Sequence, residues 1–479
     1  MAAENYEAVI GLEVHTHLLT RSKLFCGCSA GFGAGPNDNV CPVCMGMPGV
    51  LPVLNERAVE LAIRAGLAAH AEITPLSVFD RKSYFYPDLP KGYQVSQYDL
   101  PICRGGYIEL PPAADGAQKR VRLVRIHLEE DAGKNIHEAG ATLVDFNRSG
   151  VPLVEIVSEP DIRSADEAVA YLRELRTLLL YLEASDGKME EGSFRCDVNV
   201  SVRPHGTEKF GVRTEIKNLN SFRYVEKAIA YETARQIDLI ESGGTVAQET
   251  HLFDSEREET RPMRSKEFAN DYRYFPEPDL PPIRVGADMV EAIRAAMPEL
   301  PAARRARYAA EFGLTPYEVG VLTQDRETAE YFEVVAAAVE NRKAAANWVM
   351  TEVLRVVRES GKSFAVAAPP PAETAALMRM VEGSKISLTA AKTAFAAMVK
   401  AGGGAAATVE SLGLAQVSDE AEIAAACERV LGAESAKVAE YRAGRDKLFG
   451  FFVGQVMKAM GGKANPKIIN DILRRQLAG

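Results

Sequence analysis

Four segments in the first 220 residues alternate apolar and polar side chains with a period of two, and this alternation constrains the chain more than any other feature. In Ala8–His17, Ala8, Ile10, Leu12 and Val14 share one face, and Val9, Gly11, Glu13, His15 and His17 share the other. Phe194–Arg203 sets Phe194, Cys196, Val198, Val200 and Val202 against Arg195, Asp197, Asn199, Ser201 and Arg203. Val212–Lys217 sets Val212 and Ile216 against Arg213, Glu215 and Lys217, and Arg122–Glu130 sets Val124, Ile126 and Leu128 against Arg125, His127 and Glu129. A fifth segment, Val151–Val157, is apolar apart from Glu155. Strands with one apolar and one polar face predict an antiparallel sheet covered on one side. The polar faces carry acids, His, Asn, Arg and Lys in place of the Thr, Lys and Glu of a plain solvated surface. A solvated face accounts for any one strand, but poorly for all five together.

The rest of the chain reads differently. From about residue 291 to 405 it is Ala-rich with helical spacing, and Tyr331, Val334, Val335, Val339, Trp348, Val349 and Val353 fit one stripe. After AGGGAAATVE the last 75 residues read as short helices. In ANPKIINDILRRQL a helix starts at Asn465-Pro466 and runs on an Ile468, Ile469, Ile472, Leu473 stripe. The predicted class is α+β, with a β-rich antiparallel domain over 1–292, an all-α domain over 293–405 and a small helical tail over 406–479. A length of 479 residues, at roughly 150 per domain, suits three domains.

Charge excludes binding of nucleic acid by bulk attraction, because the net charge is −10. Residues 441–479 nevertheless hold eight Lys/Arg against two Asp/Glu, a basic patch on an acidic body. No apolar run reaches the roughly 18–20 residues of a membrane span, and the acidic N-terminus MAAENYEAVIGLEVHTHLL lacks a signal-peptide pattern. Seven cysteines, four of them clustered, fit a reducing cytoplasm better than a disulfide framework.

Glu13 and His15 project from one strand face, with Glu129 and Glu155 as candidates to join them. Carboxylates with one imidazole favour a hard divalent ion such as Mg²⁺ or Mn²⁺, although a hydrogen-bonded His–Glu pair gives the same pattern. Cys26, Cys28, Cys41 and Cys44 have the spacing of a closed structural zinc knuckle, with four free thiols as the alternative. Cys103, Cys196 and Cys427 read as small buried apolar residues. Two loops are polar and aromatic: Asp80–Gln94 combines Arg, Lys and Tyr with Gly and Pro, and Asp271–Pro278 combines Arg and Tyr with Pro. Such loops suit docking of phosphate, ribose or a base, or aromatics plugged onto a core. The segments Lys188–Asn199 and Arg213–Ser221 mix dense charges of both signs, as a phosphoryl-transfer site needs. There is no G-x-x-x-x-G-K-[ST] loop and no G-x-G-x-x-G after a strand, and the string Gly27-Cys28-Ser29-Ala30-Gly31 falls within the cysteine loop and does not read as a nucleophile elbow. A bound nucleotide must therefore be held by the sheet face and a metal.

These residues fall in long motifs: VIGLEVHTHL (9–18), DRKSYFYPDLPKGYQVSQ (80–97), HLEEDAGK (127–134), DFNRSGVPLVEIVSEPD (145–161), KMEEGSFRCDVNVSVR (188–203), EIKNLNSF (215–222) and DYRYFPEPDLPP (271–282). Through them the chain resembles the GatB family of tRNA-dependent amidotransferase components, nearly end to end. The resemblance implies a β-rich cradle, a helical domain and a tail similar to YqeY proteins. It implies a complex with an amidase-type A subunit and a small C subunit, acting on Glu-tRNA(Gln), Asp-tRNA(Asn) or both. ATP with Mg²⁺ would phosphorylate the side-chain carboxylate, and ammonia from the A subunit would displace the phosphate. Glu13, His15, Glu129 and Glu155 match the family's metal site. Lys82, Arg195 and Lys217 are inferred catalytic contacts, and Asp197, Asn199, Glu190, Glu215 and Asn218 inferred nucleotide contacts. Zinc on the cysteines is structural, since only some family members keep all four. A non-catalytic tRNA-binding scaffold and a metal-dependent hydrolase are the competing readings.

Overall fold

A computed structural model describes residues 5–112, 118–265, 272–417, 419–461 and 463–478. Asp271, at the head of the second polar-aromatic loop, lies outside the described residues. The chain divides into two compact units, Met1–Pro301 and Ala302–Gly479.

The first unit carries the strands. They are β1 (Tyr6–His17), β2 (Glu72–Ile73), β3 (Leu76–Ser77), β4 (Asp80–Ser83), β5 (Tyr93–Ser96), β6 (Cys103–Arg104), β7 (Tyr107–Glu109), β8 (Arg120–Glu130), β9 (Lys134–Glu138), β10 (Ala141–Asp145), β11 (Pro152–Ser158), β12 (Phe194–Pro204), β13 (Thr214–Leu219), β14 (Glu249–Asp254), β15 (Glu259–Ser265), β16 (Phe275–Pro276) and β17 (Ile283–Arg284). Its helices are α1 (Glu56–Ala68), α2 (Ala165–Tyr181), α3 (Phe222–Glu241) and α4 (Ala287–Ala295). The main sheet has the order β15-β14-β13-β12-β1-β11-β8-β6-β2, with β7 on β8. Its pairings are antiparallel except that of β13 with β14, which is parallel and makes the sheet mixed. The connection that permits this is α3, which runs between those two strands.

The apolar sheet face forms the core. Ile10, Leu12, Val14, Ile126, Leu128, Val154, Ile156, Val198, Val200 and Ile216 are buried in one cluster with Leu61 and Ala62 of α1, Leu172 and Leu175 of α2, and Val225 and Ile229 of α3. Side-chain oxygens start the three helices: Asn55 accepts from Arg57 N, Ser164 from Glu167 N and Ser221 from Tyr224 N. Each buried aliphatic contributes roughly 1.5–3 kcal/mol, enough together to support a crowded polar face opposite.

Two residues depart from the alternation. Val124 is 39% exposed, because β8 shifts register against β11 between Val157 and Ser158, whose partners are Arg125 and Leu123. The skipped residue leaves the apolar row. Val212 is 43% exposed, because pairing of β13 with β12 begins only at Thr214.

The second unit is helical. On Arg326–Ala337, Tyr331 and Val335 are buried, but Val334 is 46% exposed, lying off the stripe. Trp348, Val349 and Val353 are buried where the helix passes through a π-turn over Val349–Val353. Near the C-terminus Ile423, Cys427, Phe452, Val456, Ile469, Ile472 and Leu473 form a separate core. Asn465 accepts from Lys467 N at the start of the helix Pro466–Ala478. No helix among the described residues is long and apolar enough to cross a membrane.

Candidate active site

Strand register lays the polar face out in rungs. His15 lies opposite Glu155 on β11 and Arg195 on β12, and Glu155 in turn faces His127 on β8. One rung along, Glu13 lies opposite Asp197, and Asn199 lies between Gly11 and Glu215. Directly opposed side chains interact, so acids and bases from four strands meet without help from loops.

His15 Nε2 is 3.5 Å from Glu155 Oε2 and 3.7 Å from Glu129 Oε1. One donor atom from each of the three lies within 4.8 Å of the others. His127 Nε2 is 3.2 Å from the same Glu155 oxygen and 3.7 Å from Glu129. Ser96 at the end of β5 donates to Glu129 Oε2 at 3.2 Å. Burial opposes the charge on Glu155, yet the His127 and His15 imidazoles hold its carboxyl well below the ordinary range. Burial likewise opposes protonation of His15, but Glu155 and Glu129 raise it to about 9. Two buried carboxylates at this range need positive charge beside them, which His15 and His127 supply here. Two carboxylates and one imidazole suit Mg²⁺ or Mn²⁺.

Glu13 stands apart from that group. Its carboxylate accepts from Asn199 Nδ2 at 2.9 Å, and burial together with Glu155, Asp197 and Glu215 pushes its pKa up. It lines the same cavity of about 230 Å³, together with His15, Lys82, Asp197, Glu215 and Lys217. Lys217 donates to Asp197 and lies 3.2 Å from Glu215, whose other oxygen accepts from Thr250. Lys82 Nζ sits 4.9 Å from the Tyr272 ring centre, and Tyr98 stacks on Tyr274 at 4.3 Å. Both polar-aromatic loops thus reach the cavity.

Three expected residues are not among the lining of that cavity. Glu190 is exposed in the turn before β12. Asn218 is exposed and donates to the Phe253 carbonyl at 3.1 Å. Arg195 is committed to Asp131 through both terminal nitrogens at 2.9 and 3.0 Å, and His17 Nε2 meets the same carboxylate at 2.7 Å. Against burial, Arg195, Arg148 and His17 hold the Asp131 carboxyl well below its usual range. His127 and Asp131 escape a reading by residue type. Both lie in HLEEDAGK, but only the β8–β11 register brings His127 to Glu155.

The sulfurs of Cys26, Cys28, Cys41 and Cys44 also lie within 4.8 Å of one another, a donor set that fits tetrahedral zinc. The fully buried Lys23 donates to the Asn39 and Phe146 carbonyls at 2.7 and 3.2 Å and stands 3.5 Å from Cys44 Sγ. A hydrogen bond from Cys26, helped by the Cys41 backbone and the Lys23 charge, brings the Cys44 thiol down to about 4. Cys103, Cys196 and Cys427 are buried.

A family model described as the GatB/GatE catalytic domain matches residues 8–291, and one described as the GatB domain matches 330–477. The chain is 56% identical to the B subunit of the aspartyl/glutamyl-tRNA(Asn/Gln) amidotransferase of Geobacter sulfurreducens, across 99% of this chain and 100% of that protein. It is likewise 56% identical to the protein of that name from Geotalea uraniireducens, over the same shares. To that of Myxococcus xanthus it is 51% identical, across 100% of both chains. With a strand-built acidic cavity and family matches along most of its length, the chain belongs to the GatB family of amidotransferase subunits.

Proposed function

We propose that this subunit activates the side-chain carboxylate of Glu-tRNA(Gln), Asp-tRNA(Asn) or both by ATP-dependent phosphorylation, and then completes amide formation. The reading places it in the cytoplasm, in a complex with an amidase-type A subunit and a small C subunit. A carboxylate resists attack by ammonia because its oxygen leaves badly. A substrate carboxylate oxygen attacks the γ-phosphorus of ATP, the bond from that phosphorus to the β–γ bridging oxygen breaks, and ADP departs. The acyl phosphate then accepts ammonia at its carbonyl carbon and expels phosphate. The result is Gln-tRNA(Gln) or Asn-tRNA(Asn).

The chain's own residues fit these tasks. His15, Glu129 and Glu155 would hold the divalent cation, Mg²⁺ or Mn²⁺, which supplies charge neutralisation to the triphosphate. Lys217 and Lys82 bring positive charge to the transferred group. Arg195, opposite His15 in the strand register, is pinned by Asp131. Glu13 and Asn199 form a hydrogen-bonded pair at the rim. The one G-x-S-x-G string, Gly27–Gly31, lies in the cysteine loop and forms no strand-to-helix turn, so the A subunit supplies the ammonia. Zinc on Cys26, Cys28, Cys41 and Cys44 would tie their loop and leave no open position for chemistry.

The convergence of His15, Glu129 and Glu155 within 4.8 Å carries this reading. Its test is Glu155→Gln in the assembled complex. ATP-dependent amide formation should fall by about 10²-fold or more, while aminoacyl-tRNA still binds. Undiminished amidation would leave the scaffold as the better account.

A further inference from the structure

Asp131 gathers more positive charge than one carboxylate needs. It is buried, and its Oδ2 meets His17 Nε2 at 2.7 Å, Arg195 Nη1 at 2.9 Å and Arg148 Nε at 3.3 Å. Its Oδ1 accepts from Arg195 Nη2 at 3.0 Å. Two guanidiniums, which do not deprotonate in proteins, thus share one anion. The other contacts of Arg148 are to neutral groups, the Ala132 and Gly133 carbonyls at 2.9 and 2.6 Å. The neighbouring acids are already engaged, Glu130 with Lys91, and Glu129 with His15 and His127. A half-buried cation without an anion of its own is costly, so this group calls for one more anion.

Exposure and register place that anion. The Arg148 and Arg195 side chains are 35% and 32% exposed, against 6% for Asp131, so a ligand reaches the guanidiniums and not the acid they share. Among the described residues, no acceptor meets Arg195 Nε or Arg148 Nη1. Glu13, His15 and His17 follow one another on one face of β1. Asp197, opposite Glu13, holds Lys217; Arg195, opposite His15, reaches the acid that His17 also meets. The cation ligand His15 therefore lies between the lysine and the guanidinium pair. Phosphoryl transfer needs donor and acceptor in line across the moving phosphorus. The lysine side suits the phosphate donor and the guanidinium side the acceptor.

We propose that Arg195 and Arg148 bind the side-chain carboxylate of the aminoacyl group, the acceptor of the phosphoryl transfer. The inference rests on the ATP-dependent reading above. A carboxylate presents two coplanar oxygens, which the guanidinium fork matches. One oxygen stays on the guanidiniums while the other attacks phosphorus. The retained oxygen becomes the carbonyl of the acyl phosphate, and the same cations meet its negative charge when ammonia adds. The amide product carries no charge and turns N–H donors toward N–H donors, so the pair favours substrate over product. A tRNA phosphodiester has the same oxyanion chemistry. The carboxylate is assigned because Arg195 stands on the rung of His15.

The test uses the complete complex carrying Arg148→Lys or Arg195→Lys, which keep a charge and lose the fork, with thermal unfolding checked for each. Affinity for Glu-tRNA(Gln) should fall about tenfold in both. Affinity for Gln-tRNA(Gln), which differs only in bearing the amide, should stay unchanged, as should the KM for ATP. If Arg195→Lys does not fold, Arg148→Lys, in a turn, decides alone. Unchanged affinity for Glu-tRNA(Gln) overturns the assignment. An equal loss for both aminoacyl-tRNAs also overturns it and gives the guanidiniums to a tRNA phosphate. So does a rise in the KM for ATP as large as the loss of Glu-tRNA(Gln), which marks a general structural defect. A wild-type complex that forms no amide on Glu-tRNA(Gln) with ATP and ammonia would instead end the reading on which the inference rests.

Discussion

His127 shows how one side chain can order a site without serving as a ligand. Arg125 Nε donates to its Nδ1 at 3.3 Å, which leaves the ring proton on Nε2, directed at Glu155. The ring therefore acts as a donor that orients Glu155 and Glu129, while His15, beside the same two carboxylates, is the imidazole placed to meet a cation. Removing such an orienting group typically costs about 10–100-fold in metal affinity. His127→Ala should weaken Mn²⁺ binding by about that factor, whereas His127→Gln, which keeps a donor, should retain most of it; titration followed by Mn²⁺ resonance separates the two. Equal affinity in all three proteins would remove this role. Residue type sufficed to nominate Glu13, His15, Glu129 and Glu155. It could not separate Glu13, which bonds Asn199, from the three whose donor atoms converge, because that division depends on side-chain direction across strands.

At the scale of elements, one bulge aims the key lysine. Between the pairs Cys196–Leu219 and Val198–Ile216, Asp197 faces both Lys217 and Asn218. Asn218 takes the extra position with φ 68°, a left-handed conformation asparagine tolerates, and anchors itself on Phe253. Its contribution is to hold the backbone that presents Lys217. Asn218→Gly should leave stability close to wild type. Asn218→Val should cost about 1–2 kcal/mol in chemical denaturation and lower ATP-dependent turnover. Equal turnover for Val and Gly would show that the bulge does not position Lys217. Period-two patterning revealed the strands Ala8–His17 and Phe194–Arg203 because their register with each other is unbroken. It misplaced Val124 and Val212 for one physical reason: a skipped residue or a late start flips the face, and neither changes composition.

At the scale of the whole molecule, charge is divided unevenly. The basic stretch 441–479, eight Lys/Arg against two Asp/Glu, belongs to a chain of net charge −10. If this stretch contacts tRNA phosphates, removing residues 406–479 should weaken tRNA binding and flatten its salt dependence, with Mn²⁺ binding unchanged. Affinity and salt slope identical to the full chain would refute that contact. The helical character of the second unit was legible from Ala-rich spacing. The parallel β13–β14 pairing was not, since nothing local to either strand specifies its neighbour. The account as a whole stands on a single cation held by donors from β1, β8 and β11. Its most direct test is anomalous diffraction from crystals of the complex soaked in Mn²⁺. The account expects one manganese peak in the first unit, within coordination distance of His15, Glu129 and Glu155. No peak there, at saturating Mn²⁺, would contradict it.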